Sequence, residues 1–456
     1  MYGGCSVSEP ETRGIRAYVA LMKPRVLILL QITALCAVLI HDALQWRISG
    51  EWDILRTGQV MFAVVIGGTL TAGGANSINM WYDRDIDPEM SRTDRRPVPS
   101  GAVSPNNALW FGISISILGV AWFIAMTNAV AAFWSGFSIL FYVLIYTMWL
   151  KRTSTQNIVI GGIAGATPPL IGWAAAIPAN ELSISNPFFL GGDPLPWLMF
   201  ALIFLWTPPH FWALALYRST EYQKVGVPMM PWVKGADRTL LEMKIYGLLL
   251  IAIAAIPWMD IEAVGTEGAV TWTAIAMVLG IWYFRSLLRI DVSEEIDQKG
   301  RIPSAARSFR TSLYYLALMF IGLVVSSLNT IASLIFLIID VIWLSFATKS
   351  FYRPLIGNLL AEKPVMWAAA LFYILYVFGM ALVVIQPCVD SGNLMKTLYT
   401  GFIFGLVAYG TYNLTNMAVL KGWSPTVTFV DMFWGGSLTA VSATSGLYLA
   451  KKIVHI

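Results

Sequence analysis

Apolar runs of roughly 16 to 23 residues recur along the whole chain, and that repetition leaves few folds open. A run of this length crosses the hydrocarbon core of a bilayer as a helix, the form that satisfies its backbone polar groups within one segment. The runs are continuous and do not alternate, which excludes a transmembrane barrel. About thirteen spans are expected, near 26–45, 60–82, 108–128, 131–150, 158–178, 197–217, 244–259, 267–288, 311–328, 331–348, 367–386, 397–416 and 431–449. Hydrophobic residues make up 57% of the chain and charged residues 12%. Mean hydropathy is +0.66. The reading is an all-α polytopic membrane protein with no soluble domain between spans.

The charges set the topology. With the N-terminus inside, 25 of the 30 Lys and Arg residues fall in inner loops, and the positive-inside rule then makes the N-terminus cytoplasmic. The net charge of +4 reflects this topology and not affinity for nucleic acid. The first apolar run starts near Val26, after Lys23-Pro24-Arg25, and is long enough to span, so it reads as a helix and not as a cleaved signal. Cys5, Cys36 and Cys388 are scattered, without metal spacing or a disulfide framework.

The densest chemistry lies in NSINMWYDRDIDPEMSRTDRRPVPSG, residues 76–101. Asn76, Asn79, Asp83 and Asp87 stand at i, i+3, i+7 and i+11, which puts them on one arc if a single helix carries them all. Amides and carboxylates converging at a helix end suit a hard cation such as Mg²⁺. Arg92, Arg95 and Arg96 follow, and guanidinium forks suit phosphate oxygens. A solvated stop-transfer loop is the plain alternative, but such a loop needs no buried amides upstream of its acids. Metal plus arginine at a membrane surface suggests a diphosphate on a lipid-like substrate.

Two further segments carry polar landmarks. Lys151-Arg152 ends the fourth span, either as a topological anchor or as a second set of diphosphate ligands. Gly161, Gly162 and Gly165 open the fifth span and allow close helix packing. The sixth span ends in WTPPHFWALALYRSTEYQKVGVPMMP. Trp206, His210, Tyr217 and Glu221 share a face there if the helix persists past Pro208-Pro209, which is expected to distort it. His210 is read as a hydrogen-bonded packing group or, alternatively, as an iron or porphyrin contact. Glu221 stands where it can complete a diphosphate clamp opposite the first aspartate cluster.

These strings carry a resemblance. Asn79, Asp83 and Asp87 match the N-x-x-x-D-x-x-x-D signature of the intramembrane UbiA-type prenyltransferases. NMWYDRDIDPEMSRTDRRPVPSG, KRTSTQNIVIGGIAGATPPLIGWAA and FLWTPPHFWALALYRSTEYQKVGVPMMP narrow it: together they resemble the protohaem IX farnesyltransferases, or haem O synthases, over residues 15–328. The resemblance implies a nine-helix bundle with four additional helices after it. It implies farnesyl diphosphate and haem B as substrates, haem O and diphosphate as products, and Mg²⁺ as cofactor. It implies that Asn79, Asp83 and Asp87 hold metal and diphosphate, and that Arg92, Arg96, Lys151 and Arg152 neutralise diphosphate oxygens. Glu221 departs from the family, which usually has Asp before the Tyr. The inner membrane is the implied location, with aspartate-rich loops facing the cytoplasm and haem A synthase or terminal oxidase assembly downstream. Another acceptor, a quinone precursor or a chlorophyllide, is the alternative within enzymes. A transporter or haem carrier is the alternative outside them, and it leaves the Asn/Asp/Arg cluster unexplained.

Residues 331–449 resemble a small four-helix bacterial membrane family of unknown function. The domains are therefore expected at 1–328 and 329–456. Asp340, Asn413, Asn416 and Asp431 are intramembrane polar residues of the second part, either functional or bonding helix to helix.

Overall fold

The computed structural model describes residues 14–91, 93–217, 219–255, 261–295, 302–327, 331–361, 366–389 and 391–454. Among them there is no strand, and each of the thirteen expected spans is largely helical over its described residues; 256–259 and 328 lie outside them. Nine helices among the described residues are long and apolar enough to cross a membrane. Of the remaining spans, Ala236–Ala255, Leu394–Val419 and Pro425–Val454 have 20, 26 and 30 residues, which is sufficient length for a crossing. The helix surfaces present large apolar side chains outward, such as Trp110, Ile117, Leu118 and Ile124, as expected of lipid-facing walls. The chain is a multi-pass, all-α membrane protein.

The fold divides into two compact units. One is Met1–Met259 with Ala276–Phe320, and the other is Asp260–Ile275 with Ile321–Ile456.

In the first unit, α1 is Ile15–Leu21, α2 Pro24–Ser49, α3 Ile54–Tyr82, α4 Pro105–Met126 and α5 Ala129–Leu140. Lys23, between α1 and α2, has φ 55°, a left-handed conformation that is costly for a residue with a Cβ. Helices α3 and α4 lie together because Gly74 and Gly112 face each other. A Cβ on Gly112 would sit 2.9 Å from the Gly74 carbonyl oxygen. Gly172 serves the same purpose against the Ala34 carbonyl of α2. Gly161 and Gly162 accommodate Tyr146 and Thr207 as expected, whereas Gly165 has no close neighbour.

Two expectations about local geometry change. The sequence 158–178 is two helices, Asn157–Ala166 and Pro168–Ala176, because Pro168-Pro169 cannot supply the N–H groups of a continuous ladder. Leu195–Tyr217, in contrast, runs through Pro208 and Pro209 without a break. Thr207 Oγ1 donates to the Ile203 carbonyl there, at 2.7 Å.

The second unit is built largely from Ile331–Ala347, Met366–Gly379, Leu394–Val419 and Pro425–Val454. Gly405 on Leu394–Val419 meets the Gly435 carbonyl on Pro425–Val454, so these two helices approach backbone to backbone.

Candidate active site

α3 ends at Tyr82, earlier than a single helical face through Asp87 requires. The Asp83 N–H still bonds to the Asn79 carbonyl, but Asp83–Asp85 and Asp87–Glu89 are 3₁₀ turns. Pro88 accounts for the break, since it disfavours α conformation at Asp87 and donates no N–H. Asp87 therefore reaches the site from a loop and not from the arc of one helix. Thr93 Oγ1 holds that loop by donating to the Asp87 carbonyl at 2.7 Å.

The side chains converge all the same. Asn79 Nδ2 donates to Asp83 Oδ2 at 2.9 Å and to Thr147 Oγ1 at 3.1 Å. Lys23 Nζ donates to Asn79 Oδ1 at 2.7 Å, and Lys151 Nζ donates to Asp83 Oδ2. Asp83 is fully buried and Asp87 is 1% exposed. Arg96 Nη1 lies 3.0 and 2.8 Å from the two Asp87 carboxylate oxygens. Burial, with Arg96 adding to it, holds the Lys23 ammonium well below the ordinary lysine range. Asn76 turns elsewhere and donates from Nδ2 to the Met22 carbonyl at 3.1 Å, tying α3 to the turn that carries Lys23.

Lys151 and Arg152 arrive by a specific device. After α5 the chain widens into a π-helical stretch, Phe141–Leu150, before one α-turn at Lys151–Thr153. Such insertions re-aim side chains and are common at functional sites. Here the stretch sets Thr147 against Asn79 and Lys151 against Asp83. Arg152 forks onto Asp85, with both contacts at 2.7 Å, and lies 4.7 Å over the Tyr82 ring. Arg84 stands 5.1 Å over Trp81. The faces of Trp81 and Tyr82 thus support guanidinium groups.

The sixth-span residues form a separate cluster. His210 is stacked between Trp206 at 4.2 Å and Phe309 at 4.5 Å. Its Nδ1 lies 2.6 Å from Ser312 Oγ, and Ser312 Oγ donates to the Phe309 carbonyl at 2.7 Å. If the serine hydrogen goes to the Phe309 carbonyl, His210 Nδ1 carries the proton and Nε2 is the acceptor nitrogen. Trp206 Nε1 donates to the Ser312 carbonyl at 2.8 Å. Tyr217 is partly buried at the end of this helix. Glu221 lies in the short helix Ser219–Lys224, but its side chain is outside the described residues, as is Arg92 altogether. Tyr222, next to Glu221, belongs to the buried cluster of Met90, Ile158 and Val227, with Ile86 packed against it. The two acidic loops therefore share one apolar floor.

The donor set fits a hard cation. Asp83 Oδ1 is buried without a hydrogen-bond partner, with Arg152 Nη2 at ion-pair distance, 3.8 Å. Among the described residues, no group of three His, Cys, Asp or Glu side chains converges, so an amide and bound water or substrate oxygens must complete the coordination. Lys23, Thr147 and Thr93 were not legible as site residues. Lys23 read as a topological charge, and Thr147 lies 68 residues from the asparagine it touches.

Residues 30–300 match the UbiA prenyltransferase family, and residues 325–448 match a family described as a predicted membrane protein (DUF2177). A protoheme IX farnesyltransferase of Rhodopseudomonas palustris is 40% identical over 307 residues, covering 67% of this chain and 88% of that one. One from Beijerinckia indica is 43% identical over 311 residues, covering 68% and 88%. A solved digeranylgeranylglyceryl phosphate synthase shares the fold, with TM-score 0.50 and 18% identity over 69% of this chain and 98% of that chain. With the family model spanning more than half of the chain, and relatives at this identity covered over most of their length, the chain belongs to the UbiA prenyltransferase family.

Proposed function

We propose that the chain transfers the farnesyl group of farnesyl diphosphate to a vinyl group of haem B, with addition of water, giving haem O and diphosphate. The observation that carries the reading is the buried Asn79–Asp83–Lys151 cluster, in which Asp83 Oδ1 makes no hydrogen bond, in a chain about 40% identical to farnesyltransferases of protohaem. Asn79, Asp83 and Asp87 would hold Mg²⁺, with Glu221 from the facing loop. Bound there, Mg²⁺ would neutralise charge on the diphosphate leaving group.

The chain's own residues do the rest. Lys151, Arg96 and Arg152 give cationic partners to oxygens as the allylic C–O bond breaks. The helices exclude water from the farnesyl cation. The vinyl terminal carbon forms the new bond to farnesyl C1. The positive charge left beside the pyrrole is captured by water, which loses a proton to give the hydroxyethylfarnesyl chain. The acidic loops face the cytoplasm in this reading, and the haem O made serves haem A formation for terminal oxidases. In this reading residues 1–328 form the catalytic domain and residues 329–456 a second domain.

The test is direct. Membranes carrying the chain, given haem B, farnesyl diphosphate and Mg²⁺, should yield farnesylated haem by mass spectrometry. A quinone-precursor acid or chlorophyllide prenylated in preference to haem would replace this reading. A chain cut after Asn329 should still make haem O, and residues 330–456 alone should not. An inserted but inactive N-terminal piece would place the extension within the enzyme.

His210 supplies a second expectation. With Nδ1 hydrogen-bonded to Ser312, the ring has one nitrogen anchored, as metal-ligating histidines do. His210→Ala should weaken haem B binding more than farnesyl diphosphate binding. An unchanged haem affinity and Soret spectrum in the purified variant would leave His210 as packing between Trp206 and Phe309.

A further inference from the structure

The second unit contains its own buried polar network, which prenyl transfer does not use. Asp340 accepts from Tyr373 Oη at 2.7 Å and from Trp434 Nε1 at 3.1 Å. Asp431 accepts from Tyr352 Oη and from Asn413 Nδ2, the latter at 3.2 Å. Trp343 joins the two centres by stacking on Trp434 at 4.3 Å and donating from Nε1 to Tyr352 Oη at 3.2 Å. The two carboxylates are also within electrostatic reach of each other.

Every donor in this network is neutral. Among the described residues, no Lys, Arg or His lies within ion-pair distance of Asp340 or Asp431. The other titratable groups around the carboxylates are phenols, those of Tyr352, Tyr373, Tyr376 and Tyr409. Both carboxylates are buried, at 3% and 7% exposure. Negative charge in such a place calls for a cation.

Asn413 points to the same kind of ligand independently. It is fully buried, and its Nδ2 donates both to Asp431 and to the Tyr409 carbonyl, the latter at 3.1 Å. That pair of bonds fixes which end of the amide is nitrogen. The oxygen of the same amide, Oδ1, is buried without a hydrogen-bond partner. An orphaned acceptor beside a carboxylate selects a cation or a donor and rejects an anion. The ligands are few and carry little charge, and no three-acid group occurs among the described residues, so a divalent ion is not favoured.

We propose that Asp431, Asn413 Oδ1 and the Tyr352 hydroxyl bind an alkali-metal cation of Na⁺ type in competition with a proton, with Asp340 adding negative potential. The site gives the second unit an ion-binding role separate from prenyl transfer.

The test uses the full chain, purified in detergent with excess Mg²⁺, and measures binding of radiolabelled Na⁺. Saturable binding of one ion per chain is expected, undisplaced by choline and weakening as pH falls. Asn413→Leu and Asp431→Asn should weaken it by about tenfold or more, and Asn413→Asp should retain or strengthen it. A parent that elutes as a folded species yet binds no Na⁺ saturably overturns the proposal. So does binding unchanged in Asn413→Leu, or a response to pH on which Na⁺ has no effect. If Asp431→Asn fails to fold, the opposite effects of Asn413→Leu and Asn413→Asp still decide the matter.

Discussion

Asp83→Asn should lower farnesyl transfer by on the order of 10²-fold or more while the chain still inserts, and Asp87→Asn should do the same. The substitution keeps the shape of the Asp83 side chain and removes one charge. In the parent, Asp83 Oδ2 receives both Asn79 Nδ2 and Lys151 Nζ, and Oδ1 makes no hydrogen bond and has only the more distant Arg152 guanidinium, at 3.8 Å. In the variant, the amide oxygen is drawn to Lys151 and Asn79, because an NH₂ there would face two donors. The NH₂ then occupies the position of Oδ1, where it repels a cation. Mass-spectrometric assay of haem O at limiting Mg²⁺ measures the loss, and thermal unfolding shows whether the bundle survives. Near-normal turnover in both variants would remove these residues from metal binding.

The fold was legible in the sequence because the bilayer makes few demands and makes them everywhere. Length and apolarity located each helix, since a helix in lipid must satisfy its own backbone. The breaks were harder to place. Pro168-Pro169 divides its span and Pro208-Pro209 does not, although both are pairs of helix-breaking residues. The threonine before each pair bonds back to an upstream carbonyl in both spans, so no local pattern separates the outcomes.

The same distinction applies to the site. Asn79, Asp83, Asp87, Arg96 and Lys151 were legible because their side chains are costly in a membrane unless used. Their pairing was not. A helical wheel through Asp87 overlooks Pro88, which replaces the helix with 3₁₀ turns. The π-helical stretch Phe141–Leu150 has no sequence mark of its own, yet it aims Thr147 and Lys151 at α3. Lys23 is the clearest omission. Its ammonium reaches Asn79 through a left-handed backbone that only the surrounding packing sustains.

Arg96→Met is expected to cost about 3 kcal/mol of stability, the low end of what is lost when one partner of a buried ion pair is removed. The low end applies because the Arg96 side chain is 23% exposed, whereas that of Asp87 is 2% exposed. Removing the guanidinium leaves a carboxylate in a nearly dry loop without its ion-pair partner, its backbone still held by Thr93. The double variant Arg96→Met, Asp87→Asn should therefore be more stable than Arg96→Met alone, because no uncompensated charge remains. Transfer should be low in both variants, so stability and activity move apart across the series. Denaturant unfolding in detergent, paired with the haem O assay, measures the two quantities on the same preparations. If Arg96→Met is as stable as the parent, the pair is solvated in the working protein and contributes nothing to the fold. If instead the double variant recovers stability but not turnover, Arg96 holds the Asp87 side chain in place before metal and diphosphate arrive, and the buried pair preserves the site for them.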